Sequence, residues 1–292
     1  MRVRGIGKER LGKIQDEDWV DRSRRPYVEG DIAWVPVLPG RSFDREITAE
    51  PAYTGRGFYL IGDIAVVHGM RPTAEDITRI VNLKNPRGVI WREALDDITR
   101  IPRTEVVWGE CGETRHRESG YVYHLDPSKV MFSQGNRTEK SRIAQLIRQG
   151  NTTERVADMF AGVGYFTIPM AGAGARVHAM EINPVACGYL QRNAVENRLA
   201  DRITVSPGDC RNLLDGIYDR IVMGHFDATG MLTIALRHVR PGSTIHLHAI
   251  EGPEDSVRAI VESAGFSCGI RVHKVKKYRP HAWHVVHDIT IT

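Results

Sequence analysis

Cysteine is scarce and scattered: Cys111, Cys187, Cys210 and Cys268 are the four in 292 residues, and no CxxC pair occurs. That argues against a disulfide-stapled scaffold and against a structural zinc site, and it suits the reducing cytoplasm. No run approaches the roughly 18 consecutive apolar residues of a membrane-spanning helix. The basic start, MRVRGIGKERLGK, has no apolar segment behind it, so no signal peptide is read there. A strong net charge is also missing. Forty Lys+Arg against 36 Asp+Glu leave +4, which permits an RNA partner without demanding one. There is no internal repeat, no low-complexity tract and no GxxxxGK[ST], which excludes an ATP-binding P-loop. What is present is ordinary for a soluble globular chain: 41% hydrophobic and 26% charged residues. The length suits about two domains at roughly 150 residues each, with a large core.

The pattern changes near residue 140. Before it come short strand-like runs at 31–38, 57–69, 104–110 and 120–132, and one amphipathic helix over 73–83 with Thr73 as N-cap and Asp76 at the third helical position. Residues 1–135 are therefore read as a small α+β domain. Residues 136–292 alternate strands and helices. Strands fall at 156–160, 176–182, 203–209, 218–226 and 243–249, and the clearest helix is 184–198 with Pro184 in its first turn. Such alternation predicts a parallel sheet covered by helices on both faces. Two last strand-like runs, 268–278 and 282–292, joined by a loop with Pro280, predict an antiparallel hairpin at the sheet edge. The whole resembles the Rossmann-like, seven-stranded α/β fold of S-adenosylmethionine-dependent transferases.

The first strand of that half runs into Asp158-Met-Phe160-Ala-Gly162-Val-Gly164. Two glycines allow a tight turn and close approach of backbone to a ligand, and a helix start follows. Glu181 ends the second strand, where a carboxylate can accept from both hydroxyls of a ribose. Asp209-Cys210 follow the third strand, placed to bound an adenine. All three positions are C-terminal strand ends, where open α/β sheets bind ligands. A nicotinamide dinucleotide fits less well, because Thr167 stands where its fingerprint has a third glycine.

DMFAGVGYFTIP, the following EINP, DRIVMG, the FSQGNRTEKSR segment and the closing RPHAWHVVHDITI resemble the archaeal and eukaryotic enzymes that modify position 37 of tRNA with S-adenosylmethionine. The likeness covers roughly residues 100–292. One branch methylates N1 of guanine 37. The other, the wybutosine-synthesis aminocarboxypropyltransferases, moves the 3-amino-3-carboxypropyl arm to C7 of 4-demethylwyosine in tRNA-Phe. Met223-Gly224-His225-Phe226 has neither the asparagine nor the proline usual in the methyltransferase, and FSQGN resembles the second branch. A third reason is that the methyltransferase carries an extra N-terminal domain, for which 292 residues leave little room. The resemblance thus implies the aminocarboxypropyltransferase, with the tRNA guanine-37 N1-methyltransferase as alternative. It also implies that residues 1–135 face the tRNA, that Phe160, Gly162 and Gly164 line the cofactor, and that Ser133 and Lys140 hold its methionine end. Glu181 would take the ribose and Asp209-Cys210 the adenine. Lys140 stands where the family tends to have arginine, so the charge is kept and the bidentate fork lost.

Other residues carry two readings each. His225 and Asp227, after the fourth strand, are candidates to take the C7 proton, or His225 is a hydrogen-bonded histidine without that role. Tyr165 and Phe166 stack on a base or belong to the core. Arg271, Lys274, Lys276, Lys277 and Arg279 fall in one stretch without an acid. They contact phosphates of the anticodon stem, or they protect an edge strand from aggregation. His246, His248, His281, His284 and His287 lack a completing carboxylate or cysteine set, so no metal is expected. Neither a membrane nor an obligate protein partner is expected.

Overall fold

The computed structural model describes residues 2–14, 17–21, 26–46, 57–95, 99–150, 152–252, 254–279 and 282–292. Pro280 and His281 lie outside the described residues. The chain forms two compact units, Met1–Gly55 and Arg56–Thr292. The part expected over 1–135 thus spans the first unit and the beginning of the second.

The first unit is an antiparallel sheet of β1 (Arg2–Gly7), β2 (Tyr27–Glu29), β3 (Ile32–Pro36) and β4 (Arg45–Glu46), in the order β2-β3-β1-β4. Val3, Ala33 and Val35 are among its buried apolar residues, the last two on one face of β3 at the strand period of two.

The second unit opens with β5 (Phe58–Ile61) and β6 (Ile64–His68). The run 57–69 is therefore two strands, broken at Gly62-Asp63, where Gly62 takes a φ of +56°. The turn is held from outside, since the Asp63 carboxylate accepts from Thr114 Oγ1 at 2.7 Å and from Arg87 Nε at 2.8 Å. α1 (Ala74–Lys84) starts at a capping box in which Thr73 and Asp76 exchange side-chain-to-backbone hydrogen bonds, each 3.2 Å, as its sequence predicts. It carries the chain from β6 to the parallel β7 (Gly88–Leu95), which pairs with β8 (Pro102–Gly109). β9 (Thr114–Glu118) and β10 (Tyr121–Leu125) form a hairpin, and α2 (Arg137–Gln149) follows.

The seven-stranded sheet contains β11 (Arg155–Asp158), β12 (Arg176–Glu181), β13 (Ile203–Pro207), β14 (Arg220–Met223), β15 (Thr244–Ile250), β16 (Cys268–Arg279) and β17 (Ala282–Ile291). Its order is β13-β12-β11-β14-β15-β17-β16. The first five strands are parallel and the last two antiparallel, as the alternation predicts. The connecting helices are α3 (Thr167–Gly172), α4 (Pro184–Glu196), α5 (Cys210–Leu213), α6 (Leu232–Ala235) and α7 (Glu254–Ser263). Asn183 caps α4 and Pro184 occupies its first turn. Two asparagines near the end of α4 close the outer edge of β10. Asn193 Oδ1 accepts from His124 N at 2.7 Å, and Asn197 Oδ1 accepts from Val122 N at 2.9 Å.

A buried polar seam ties α2 to the sheet. Arg142 donates to Glu139 and, at 2.6 and 2.9 Å, to Asp288; Asp288 meets His246 Nδ1 at 2.6 Å, and Arg220 joins His246 to Glu154. Burial pushes the Asp288 carboxyl up, but His246 and Arg142 outweigh it and hold it far below the usual carboxylate range. His246 therefore belongs to the framework of the sheet.

Candidate functional site

A cleft of about 1300 Å³ opens over the C-terminal ends of β11, β12 and β14, entirely within the second unit. Its floor is the glycine loop. Gly162 and Gly164 have φ of +55° and +96°, and a Cβ at Gly162 would stand 2.6 Å from the Tyr165 ring. Glu181 locks the loop: its Oε2 accepts from Gly162 N at 2.7 Å and its Oε1 from Asn183 N at 2.8 Å. Burial raises the Glu181 carboxyl, and these amides oppose the rise. Each oxygen keeps a lone pair for a ribose hydroxyl. The helix that follows begins only at Thr167, whose Oγ1 donates to Asp158 Oδ2 at 2.7 Å. Asp158 is wholly buried and pushed up to about 6 by that burial, which Thr167 and Phe160 N oppose. It braces the loop from below.

Asp209 caps α5, accepting from Arg211 N at 2.9 Å, and its carboxyl is held down chiefly by the Arg211 guanidinium. Cys210 is buried beside Met231, its thiol pushed up to about 11 by burial. Both line the cleft with Ser133, Phe160, Gly162 and Glu181, so the structure brings six expected cofactor residues together. Gly164 stands behind the loop against Leu190.

Lys140 is elsewhere. It is 2% exposed, does not line the cleft, and donates to Glu118 Oε1 at 2.9 Å with its ammonium over the Phe132 ring. Burial pushes Lys140 down to about 8 against the pull of Glu118. Burial pushes Glu118 up, but His116, Lys140 and Arg137 outweigh it and hold it at about 2. The pair is ionised at neutral pH, and its ammonium is committed to the hairpin.

His225 and Asp227 lie together at the cleft wall, with His225 Nδ1 3.6 Å from the Asp227 carboxylate and 5.4 Å between the His225 and Phe160 rings. Burial and the Arg100 charge push the imidazole down, Asp227 opposing, which favours its neutral form. Asp227 N donates to Nδ1 at 3.2 Å. The ring proton therefore sits on Nε2, and His225 offers a hydrogen-bond donor rather than a base.

Tyr165 and Phe166 are 8% and 1% exposed in the main core cluster, which corrects the stacking reading for Phe166; Tyr165 reaches the cleft wall. Arg271, Lys274 and Lys277 are exposed on β16 and Lys276 is half-buried; Lys276 and Lys277 line the cleft. Residues that sequence reasoning passed over also face it: Tyr59, His68 and Arg92, with Arg92 Nη1 donating to Tyr59 Oη at 2.8 Å. Their only sequence signal was polar residues at the ends of apolar runs. Among the described residues no group of three or more His, Cys, Asp or Glu is arranged to hold a metal, and no helix is long and apolar enough to cross a membrane.

The fold and the strand-end cleft define a class I S-adenosylmethionine-dependent transferase architecture. Residues 114–272 match the TRM5/TYW2 methyltransferase domain, and the chain belongs to that family. It is 32% identical over 246 residues to the tRNA(Phe) (4-demethylwyosine(37)-C(7)) aminocarboxypropyltransferase of Methanocaldococcus jannaschii, covering 80% of this chain and 97% of that protein. The crystal structure of M. jannaschii TYW2 in complex with AdoMet matches with a TM-score of 0.64 at 28% identity, over 80% of this chain and 99% of the other. Trm5b from Pyrococcus abyssi matches in fold over 99% of both chains, with a TM-score of 0.72 at 24% identity. That last match corrects one expectation: 292 residues do have room for an N-terminal unit of the methyltransferase kind, so its supposed absence does not separate the branches.

Proposed function

We propose that the chain transfers the 3-amino-3-carboxypropyl group of S-adenosyl-L-methionine to C7 of 4-demethylwyosine at position 37 of tRNA-Phe, a cytoplasmic step of wybutosine-type modification. The observation that carries this reading is the identity with the M. jannaschii aminocarboxypropyltransferase, which runs across almost all of that protein. The cleft residues fit the nucleoside: Glu181 for ribose hydroxyls, Asp209 and Cys210 for adenine, and the Gly162 loop for close backbone approach. Asn136 also lines the cleft with an amide oxygen that has no protein partner, and we read it as facing the methionine end.

The sulfonium supplies three electrophilic carbons and a neutral leaving group. Transfer of the arm breaks its carbon–sulfur bond, forms a bond to C7, releases 5′-methylthioadenosine and requires loss of the C7 proton. The protein's task is in-line placement of the base at about 3–3.5 Å. With the Nδ1 lone pair of His225 engaged, we assign proton acceptance to the exposed Asp227 carboxylate and a positioning hydrogen bond to His225 Nε2. We read residues 1–135 as tRNA-facing, 136–292 as the catalytic domain, and the exposed cations of β16 as phosphate contacts near the anticodon. Mass spectrometry of position 37 tests the function. Growth of 4-demethylwyosine by one aminocarboxypropyl group, with 5′-methylthioadenosine released, is expected. A methyl group on guanosine with S-adenosylhomocysteine released overturns it in favour of the N1-methyltransferase.

A further inference from the structure

The transferable arm of S-adenosylmethionine ends in a carboxylate, and Lys140, expected to meet it, is bound to Glu118 outside the cleft. Two lysines of β16 do line the cleft, Lys277 exposed and Lys276 half-buried. β16 pairs regularly with β17 up to Lys274, opposite Val285, and resumes at Lys276, opposite His284, so Val275 is an extra residue. Such a bulge reverses the alternation of side chains beyond it. Two residues apart on a regular strand, Lys274 and Lys276 would share a face. Instead Lys274 stands on the Val285 face, its ammonium 5.2 Å from the centre of the Trp283 ring, and Lys276 stands on the His284 face. That face meets the cleft, because His284 packs at 4.9 Å on the ring of Phe226, a cleft residue.

The Lys276 ammonium lies against Gly135, where an added Cβ would collide with Nζ. Among the described residues no carboxylate forms an ion pair with it, and only burial acts on its titration, downward. An ammonium withdrawn from water without a counter-ion from its own chain is costly unless an anion completes the site. The buried, unpartnered Asn136 oxygen belongs to the same wall.

We propose that Lys276 binds the α-carboxylate of S-adenosylmethionine, drawing the arm toward β16 and so setting which carbon beside the sulfonium faces the acceptor base. This rests on the reading above that S-adenosylmethionine is the second substrate. Calorimetry with the full chain tests it, comparing S-adenosylmethionine with 5′-methylthioadenosine, which lacks the carboxylate. Lys276→Met is expected to weaken S-adenosylmethionine about tenfold or more and leave 5′-methylthioadenosine within about twofold, the loss of one charge-assisted hydrogen bond. Gly135→Ala, which displaces the ammonium while keeping the charge, is expected to act in the same sense. Equal weakening of both nucleosides overturns the proposal and makes Lys276 a packing residue. Unchanged S-adenosylmethionine affinity with weakened, less salt-dependent tRNA binding also overturns it and makes Lys276 a phosphate contact. A wild-type chain that binds no S-adenosylmethionine overturns the functional reading itself, an outcome distinct from a wild type that binds while the variant is indifferent.

Discussion

Lys140 and Lys276 flank the same stretch of chain, residues 133–140, and both are drawn out of water, yet the fold treats them oppositely. Lys140 receives Glu118 at 2.9 Å and two aromatic faces. Lys276 receives a glycine and no acid. The hairpin β9–β10 and α2 close the Lys140 charge in an ion pair outside the cleft, and β16 brings the Lys276 charge to the cleft without an acid. A buried charge that its own chain neutralises is architecture. One left without a partner marks where a ligand must supply the opposite sign.

The largest effect is expected from breaking the closed pair. Lys140→Met leaves the Glu118 carboxylate buried at 2% side-chain exposure, with only His116 and the more exposed Arg137 near it. Denaturant unfolding should show a loss of roughly 3–5 kcal/mol, and adding Glu118→Leu should restore most of it, because no charge is then stranded. Affinity of the folded protein for S-adenosylmethionine should hardly change. A large, selective loss of that affinity would mean that Lys140 reaches the cofactor and that the contrast between the two lysines is false. Across the cleft, Asp227→Asn is expected to lower kcat about 100-fold, as removal of a general base does, with nucleoside affinity unchanged. A variant as fast as wild type would leave proton removal to another acceptor.

The Lys276 charge also has a pH signature. Burial, then the Lys276 charge, holds His284 down at about 4, and its Nε2 meets His248 Nδ1 at 2.9 Å. Burial and neighbouring His284 push His248 down as well. A histidine whose folded pKa is depressed contributes stability that is full above its ordinary pKa of about 6.5 and is lost as pH falls through the folded value. These two histidines should therefore lower the melting temperature between about pH 6.5 and 4, opposed in part by Asp158, whose raised carboxyl takes up its proton in the folded protein over the same window. In Lys276→Met the drop should be smaller, since one of the two causes is gone. An unchanged profile would place Lys276 too far from His284 for the shared face to matter.

Much of the sheet was readable because its signals are local. The capping box at Thr73, the glycine loop, the acid at Glu181 and the strand–helix alternation each lie within a few residues of what they determine. α2 was not singled out because its buried face includes Glu139 and Lys140, which break the apolar stripe. Their partners, or those of adjoining Arg142, are 22 and 146 residues away in sequence. The break at Gly62-Asp63 depends on Arg87 and Thr114, equally remote. The site followed the same rule. Glu181 and Asp209 sit at strand ends and could be placed by counting. The role of Lys140 came from resemblance, and its burial depends on a hairpin residue. The separation of Lys274 from Lys276 depends on one extra backbone residue, which no composition or spacing reveals.

That division yields the subtlest test. Arg271, Lys274 and Lys277 are exposed, while Lys276 is half-buried. A lysine that touches only phosphate releases counterions, so replacing it should lower the magnitude of the slope of log affinity against log salt by about 1. Lys274→Ala and Lys277→Ala should each do this and weaken tRNA binding a few-fold, alike for tRNAs of different sequence. Lys276→Ala should leave the slope as it is, because its charge is directed into the cleft. A basic strand read as one uniform patch would give equal slopes for all of these variants. A response in which Lys276 alone is silent toward tRNA salt dependence is what its half-buried place beyond the bulge at Val275 requires.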